Sequence, residues 1–172
     1  MSRTESRLQA ELKQTRPFAS PVQEAFLAVL KTADLLTRLL DQHLATHELR
    51  HQQYNVLRIL RGAGQEGIPT LAIADRLIEC TPGMTRLLDR MEVKGLVLRK
   101  RCPEDRRQVL CYATPQGNDL LERLEPAMKA LVERFFERIQ LAELETFIET
   151  MERIREQAAA IERPAEPQTH LN

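Results

Sequence analysis

The sequence predicts a mainly α fold with one small β-hairpin, a winged helix-turn-helix set between long N- and C-terminal helices. Apolar residues recur at helical spacing through most of the 172 residues. Between Thr81 and Cys111 a helical pattern gives way to two short strand-like runs around a tight polar loop. No apolar run approaches the roughly 18 residues of a membrane span, and mean hydropathy is −0.39. A hydrophobic content of 42% is enough for one proper core.

The elements follow in order. Residues 1–20 read as a polar arm, partly disordered, without the apolar stretch of a secretory signal. A first long helix, about Val22 to Leu44 within a section ending at 48, carries Phe26, Val29, Leu30, Ala33, Leu36, Leu40 and Leu44 on one face. A second, His51 to Arg61, carries Tyr54, Leu57 and Leu60 and ends at the glycines Gly62, Gly64 and Gly67. Ile68-Pro69 can open a short strand. Thr70 suits the N-cap of a short helix, Leu71–Leu77.

Thr81 suits the N-cap of the next helix, with Pro82 in its first turn. Met84, Leu87, Leu88 and Met91 form its inward stripe, and Thr85, Arg86, Asp89, Arg90 and Lys94 face out until Gly95 stops it. Val97–Arg101 and Val109–Ala113 read as hairpin strands joined by the loop Cys102–Gln108. Residues 49–115 thus form a winged helix-turn-helix. Two long helices follow in 116–163, with stripes Leu120, Leu124, Met128, Leu131, Phe135 and then Leu144, Phe147 or Ile148, Met151, Ile154, Ala158, Ile161. Residues 164–172 read as a frayed tail.

Charge is distributed to match. Net charge is zero, yet Arg86, Arg90, Lys94, Arg99, Lys100, Arg101, Arg106 and Arg107 concentrate in one segment, while acids outnumber bases beyond Leu121. A helix followed at once by a basic hairpin suits double-stranded DNA: the helix fits the major groove, and an Arg at a hairpin tip fits the minor groove. The candidate DNA-binding residues are Thr81, Pro82, Gly83, Thr85, Arg86 and Arg90 on the helix and Asp105, Arg106 and Arg107 in the loop. Asp105 would hold the loop or its Arg in place, and Arg106 could instead pair with a structural carboxylate.

Other chemistry finds less support. No nucleophile–base pair or nucleotide motif is present, so an enzyme is not expected, and no cofactor is implied. His43, His47 and His51 share a helical spacing, but no further ligands complete a metal site. Three cysteines without a CxxC pair point to a reduced, cytoplasmic protein. Cys80 precedes the candidate recognition helix, and Cys102 and Cys111 flank the wing, where they could face each other across its base. The terminal stripes are too long for a wing-sized domain to cover, which predicts a homodimer. A winged helix that binds protein instead of DNA is the alternative reading.

QYNVLRIL (Gln53–Leu60), LAIADRL (Leu71–Leu77), TPGMTRLLDRMEVKGLV (Thr81–Val97), RCPEDRRQVL (Arg101–Leu110) and TPQG (Thr114–Gly117) together resemble the MarR family of bacterial winged-helix regulators. The resemblance covers about Leu49 to Leu121, and the flanking helices by pattern only. It implies a cytoplasmic transcriptional regulator, usually a repressor, that dimerises through its terminal helices. Such a dimer places recognition helices in major grooves and wings in minor grooves, and a small ligand, with an aromatic effector as the candidate, or an oxidant commonly releases the DNA. It also implies that Phe26, Tyr54 and Met128, with Phe135, stand on helices bordering a ligand pocket. The sequence departs from the family at Arg50, where a Ser or Thr usually caps the second helix.

Overall fold

The protein is described by a computed structural model covering residues 6–79, 83–103, 105 and 107–162. Seven helices and three strands are described: α1 (Arg7–Glu11), α2 (Pro21–Leu44), α3 (His51–Ala63), β1 (Ile68–Pro69), α4 (Thr70–Arg76), α5 (Met84–Val93), β2 (Val97–Arg101), β3 (Val109–Ala113), α6 (Pro115–Phe136) and α7 (Leu141–Glu162). Short 3-10 turns at Ala45–His47 and Gly64–Glu66 close α2 and α3. Among the described residues no helix is long and apolar enough to cross a membrane.

Local signals account for the helix ends. The Ser20 hydroxyl accepts the Gln23 N–H at 3.2 Å, and Pro21 takes the first helical position, where its missing N–H is not needed. Gly95 has φ +70°, which an L side chain rarely adopts. Its N–H donates to Glu92 O at 2.9 Å and that of Leu96 donates to Met91 O at 3.0 Å. This pair of bonds satisfies the last carbonyls of α5 and turns the chain into β2. Thr114 caps α6: its hydroxyl accepts the Gly117 N–H at 3.0 Å and donates to Gly95 O at 2.6 Å.

The hairpin is part of a larger sheet. β3 lies between β2 and β1 in a three-stranded antiparallel sheet, with Arg99 opposite Cys111 and Ile68 also opposite Cys111. The short strand at Ile68-Pro69 therefore extends the wing's base. Beneath it lies the core, where Leu44, Val56, Leu57, Ile73, Leu88, Met91, Cys111 and Leu121 are fully buried. Each such leucine or isoleucine side chain contributes about 1.5–3 kcal/mol of burial.

Three readings of the sequence are corrected. Thr70 does not cap α4; it is the first helical residue, and its hydroxyl lies 3.5 Å from both Val109 O and Cys111 Sγ. The first C-terminal helix, expected from 116, already begins at Pro115, the last residue of the section read as the winged helix-turn-helix. Cys102 and Cys111 do not face each other. Cys111 is opposite Arg99, and the Cys102 N–H bonds instead to Gln108 O at 3.0 Å.

Met1–Met128 form one compact unit and Lys129–Asn172 a second. In the first, among the described residues, α2 meets the core through its C-terminal end, at Leu40 and Leu44. Toward its start Val22, Phe26 and Leu30 remain more than half exposed. In the second, α7 begins with the Gln140 N–H bonded to Glu143 Oε2 at 3.0 Å. Leu141, Phe147, Ile148, Ile154 and Ile161 are all exposed along it.

Candidate nucleic-acid interface

Helix α5 and the wing are joined by one guanidinium. Arg99, on β2, donates from Nε and Nη2 to Glu92 Oε2 at 3.0 and 2.7 Å, and from Nη2 to Asp89 Oδ1 at 2.5 Å. Its backbone N–H bonds Glu92 Oε1 at 3.0 Å. The Arg99 side chain pulls the Glu92 carboxyl below its usual range despite opposing burial, and Glu92 in turn raises the guanidinium's affinity for its proton. This arrangement holds the helix against the strand and neutralises the two acids nearest the outward face. Arg99 counts among the bases of the segment, but its charge is spent internally. Lys94 is likewise engaged, donating from Nζ to Glu48 O at 2.5 Å.

What remains outward is Thr85, Arg86 and Arg90, all exposed, while Met84, Leu87, Leu88 and Met91 face the core. Arg90 stays exposed while its Nε donates back to Arg86 O at 3.3 Å. Among the described residues no hydrogen bond or ion pair engages the Arg86 guanidinium. Gly83 occupies the cap position of α5. Thr81, Pro82 and Cys80 lie outside the described residues, but α5 begins at Met84, so its cap falls two residues beyond the predicted Thr81.

The wing loop is built on Asp105. Its Oδ1 accepts the Arg107 backbone N–H at 3.0 Å and Arg107 Nε at 3.3 Å, and its Oδ2 accepts Gln108 Nε2 at 3.1 Å. The Gln108 N–H closes the turn on Asp105 O at 2.9 Å. A short carboxylate bonded to the backbone two residues on is the usual device for shaping such a turn. These bonds, the Arg107 amide first, hold the Asp105 carboxyl below its usual value. The Arg107 side chain is 93% exposed. Arg106 lies outside the described residues.

The remaining candidates separate. Tyr54 and Met128 are buried members of the core, and burial raises the Tyr54 phenol. Phe26 is 62% exposed on α2. His43 and His47 are exposed. Among the described residues no group of His, Cys, Asp and Glu could hold a metal. Burial also pushes the Cys111 thiol up, against a weaker Thr70 hydrogen bond, and a fully buried, protonated thiol is a poor redox sensor.

Two contacts were not anticipated from the sequence. Arg50 has no acceptor with which to cap α3, and Asp41 of α2 does so instead. Its Oδ1 accepts the His51 N–H at 2.8 Å, while Oδ2 accepts Arg50 Nη1 at 3.2 Å. Gln53 Oε1 accepts the Arg50 N–H at 3.1 Å. Arg61 of α3 pairs with Glu125 of α6 through both guanidinium nitrogens, the Nη1 bond measuring 2.8 Å. Glu92 with Arg99, seven residues apart across Gly95, and Asp41 with His51, ten apart across a helix break, match no helical or strand period, so neither pair was legible in the sequence.

A helix-turn-helix with a charged, loop-braced wing beside the exposed face of its second helix defines a winged-helix DNA-binding protein. The family model for the MarR family matches residues 49–109. The transcriptional regulator HosA of Escherichia coli O111:H- is 30% identical over 69% of this chain and 90% of its own length. A MarR transcription factor of Planctomyces limnophilus is 41% identical, covering 79% of this chain and 98% of that one with a TM-score of 0.61. A mutant MarR of Escherichia coli, solved with operator DNA, shares the fold at 22% identity and a TM-score of 0.71, over 81% and 99% of the two chains. The chain belongs to the MarR family, whose members are transcription regulators and not enzymes.

Proposed function

We propose that the chain is a ligand-responsive repressor acting as a homodimer in the cytoplasm. Two α5 helices would enter successive major grooves of a pseudo-palindromic operator, with half-sites roughly one helical turn apart. The observation that carries the reading is Arg107: almost fully exposed, yet braced at its backbone and Nε by Asp105. An Arg held outward at a wing tip enters a narrow minor groove at little ordering cost. Thr81, Pro82, Gly83, Thr85, Arg86 and Arg90 would line the major-groove contact, with Arg86 reading a guanine edge, and Arg106 would join Arg107 in the wing.

Arg107→Ala should weaken operator binding by roughly 1–3 kcal/mol, about ten- to a hundredfold. Fluorescence anisotropy at physiological salt reads this directly. Unchanged affinity would remove the wing from the interface. Wild-type affinity should also fall steeply with salt, since phosphate contacts release counterions.

The dimer is supported by the uncovered apolar side chains of α2, namely Val22, Phe26 and Leu30, and by those of α7. Exposed apolar stripes of this length mark an interface. In sedimentation equilibrium the full chain should run as a dimer, and Phe26→Glu with Phe147→Glu should shift it to monomer. A wild-type monomer at micromolar concentration would refute the interface. Family membership supports a response to a small aromatic effector, with Phe26, Tyr54 and Met128 as the pocket candidates; a thermal-shift screen with phenolic acids tests it.

A further inference from the structure

Three of the five residues of β2 are consecutive bases, Arg99, Lys100 and Arg101. The sheet register separates them. Arg99 stands opposite Cys111, Lys100 opposite Leu110 and Arg101 opposite Val109. Side chains alternate along a strand, so Arg99 and Arg101 share one face with Val97, Val109 and Cys111, while Lys100 shares the other with Leu98 and Tyr112. Val97 and Cys111 are buried, which makes the first face the one that meets the core and α5. There Arg99 spends its charge on Glu92 and Asp89. On the opposite face Lys100 Nζ lies 5.7 Å from the centre of the Tyr112 ring, a cation held over an aromatic face and away from α5. Arg101 is exposed. Among the described residues no hydrogen bond or ion pair engages its guanidinium.

The position of Arg101 follows from that of Arg99. The turn at Gly95 lays β2 back along α5, and Arg99 bonds Glu92 and then Asp89, a turn nearer the start of the helix. Arg101 stands two residues further along the strand, roughly 6.6 Å closer to the wing loop. It lies on the α5 side of the sheet, between the helix and Arg107 in the loop. Asp89, which could have neutralised it, is already held by Arg99.

The shape of duplex DNA decides what fills that space in a complex. With α5 in a major groove and the wing in the adjoining minor groove, the sugar–phosphate strand that divides the grooves passes between them. That strand carries a negative charge about every 3.4 Å. A free guanidinium placed there meets phosphates and no base edge.

We propose that Arg101 is a further DNA-binding residue, which grips the phosphate strand between the two grooves and adds affinity without selecting sequence. The inference rests on the DNA-binding reading above. It divides the labour of the positive segment: Arg86 and Arg107 enter grooves, Arg101 holds the strand between them, Arg99 braces the head and Lys100 lies off the interface.

The test uses the full-length chain and two labelled duplexes, one selected from a random-sequence pool and one a shuffled version of it. Anisotropy titrations from about 50 to 200 mM salt give the affinity and its salt slope. Arg101→Gln should lower the magnitude of the slope by about 1 for each bound chain. Near 0.15 M salt its affinity should fall roughly fivefold per chain, by the same factor on both duplexes. Arg101→Lys should keep most of the wild-type slope, because a phosphate needs a charge where a guanine edge needs the planar fork. Lys100→Gln should leave the slope unchanged. With no partner to lose, Arg101→Gln should melt with the wild type.

A wild-type slope and affinity in Arg101→Gln would overturn the proposal. A loss confined to the selected duplex would do the same, since that is the mark of base reading. An equal loss in Lys100→Gln, which would make the sheet face immaterial, or a lowered melting temperature in Arg101→Gln, which would make the residue structural, would also overturn it. A wild type that binds neither duplex would sink the DNA-binding reading, and the proposal with it.

Discussion

Gly117→Ala should destabilise the protein by about 3 kcal/mol, the upper part of the range for overpacked cores. A Cβ built on Gly117 would lie 2.3 Å from Leu96 O and 3.2 Å from Leu57 Cδ2. The first contact is with backbone, which cannot rotate away as a side chain would. Leu96 is also the residue that completes the C-terminal cap of α5 and leads into β2, and the Thr114 N–H bonds the same carbonyl at 3.1 Å. Pushing it outward would disturb the junction that sets the angle between recognition helix and wing. Chemical denaturation should show the loss in midpoint, and operator affinity should drop further than stability alone explains. A variant within 0.5 kcal/mol of the wild type, the ordinary range for harmless substitutions, would mean that α6 does not pack this closely on Leu96.

Asp41→Ala should cost roughly 2–4 kcal/mol, combining the loss of a helix cap with a half-buried His51 N–H and ring left without their acceptor. The effect should depend on pH with a definite sign. Burial pushes the Asp41 carboxyl up, but the His51 amide and ring and the Arg50 guanidinium together outweigh it, so the net shift is downward from 3.8. A carboxyl held down in the folded state contributes stability that is complete above its ordinary value and is lost as pH falls through the lowered one. The difference between wild type and Asp41→Ala should therefore be constant near neutrality and shrink below about pH 4. Thermal melts from pH 7 to pH 3 measure it, and a difference that stays level across the acid range would contradict this account of Asp41.

Much of the molecule was legible in the chain. The inward stripe Met84, Leu87, Leu88, Met91 could only be one face of a helix, because period 3.6 in apolar side chains has no other low-energy solution in water. Gly95 announced its end because a left-handed residue is cheap only there. Asp105 two residues before Arg107 announced a braced turn. These signals are local, arising from groups a few residues apart, and local geometry is written in spacing.

Which charges are available to a partner was not legible. Arg99 and Arg86 look alike in the sequence, both bases in one positive segment. Folding brings Glu92 and Asp89 to Arg99 and leaves Arg86 without an ion pair among the described residues. The unusual Arg50 at the start of α3 likewise looked like a missing cap until α2 turned back to supply Asp41. The misplaced Cys102–Cys111 pairing has the same origin: strand register is set by the whole sheet, and Arg99 stands where a second sulfur was expected.

By itself the sequence determined the order of the helices and strands from α2 onward, the reading head and the family, because these follow from periodicity, turn chemistry and motif, whereas the short α1 lies where only a polar arm was read. Only the tertiary structure decided which residues face outward with their charge intact and which are spent on holding the head in place. Hydrogen bonds and ion pairs act over about 3 Å in space, and residues on different elements, such as Glu92 and Arg99 or Asp41 and His51, come that close only after the chain has packed.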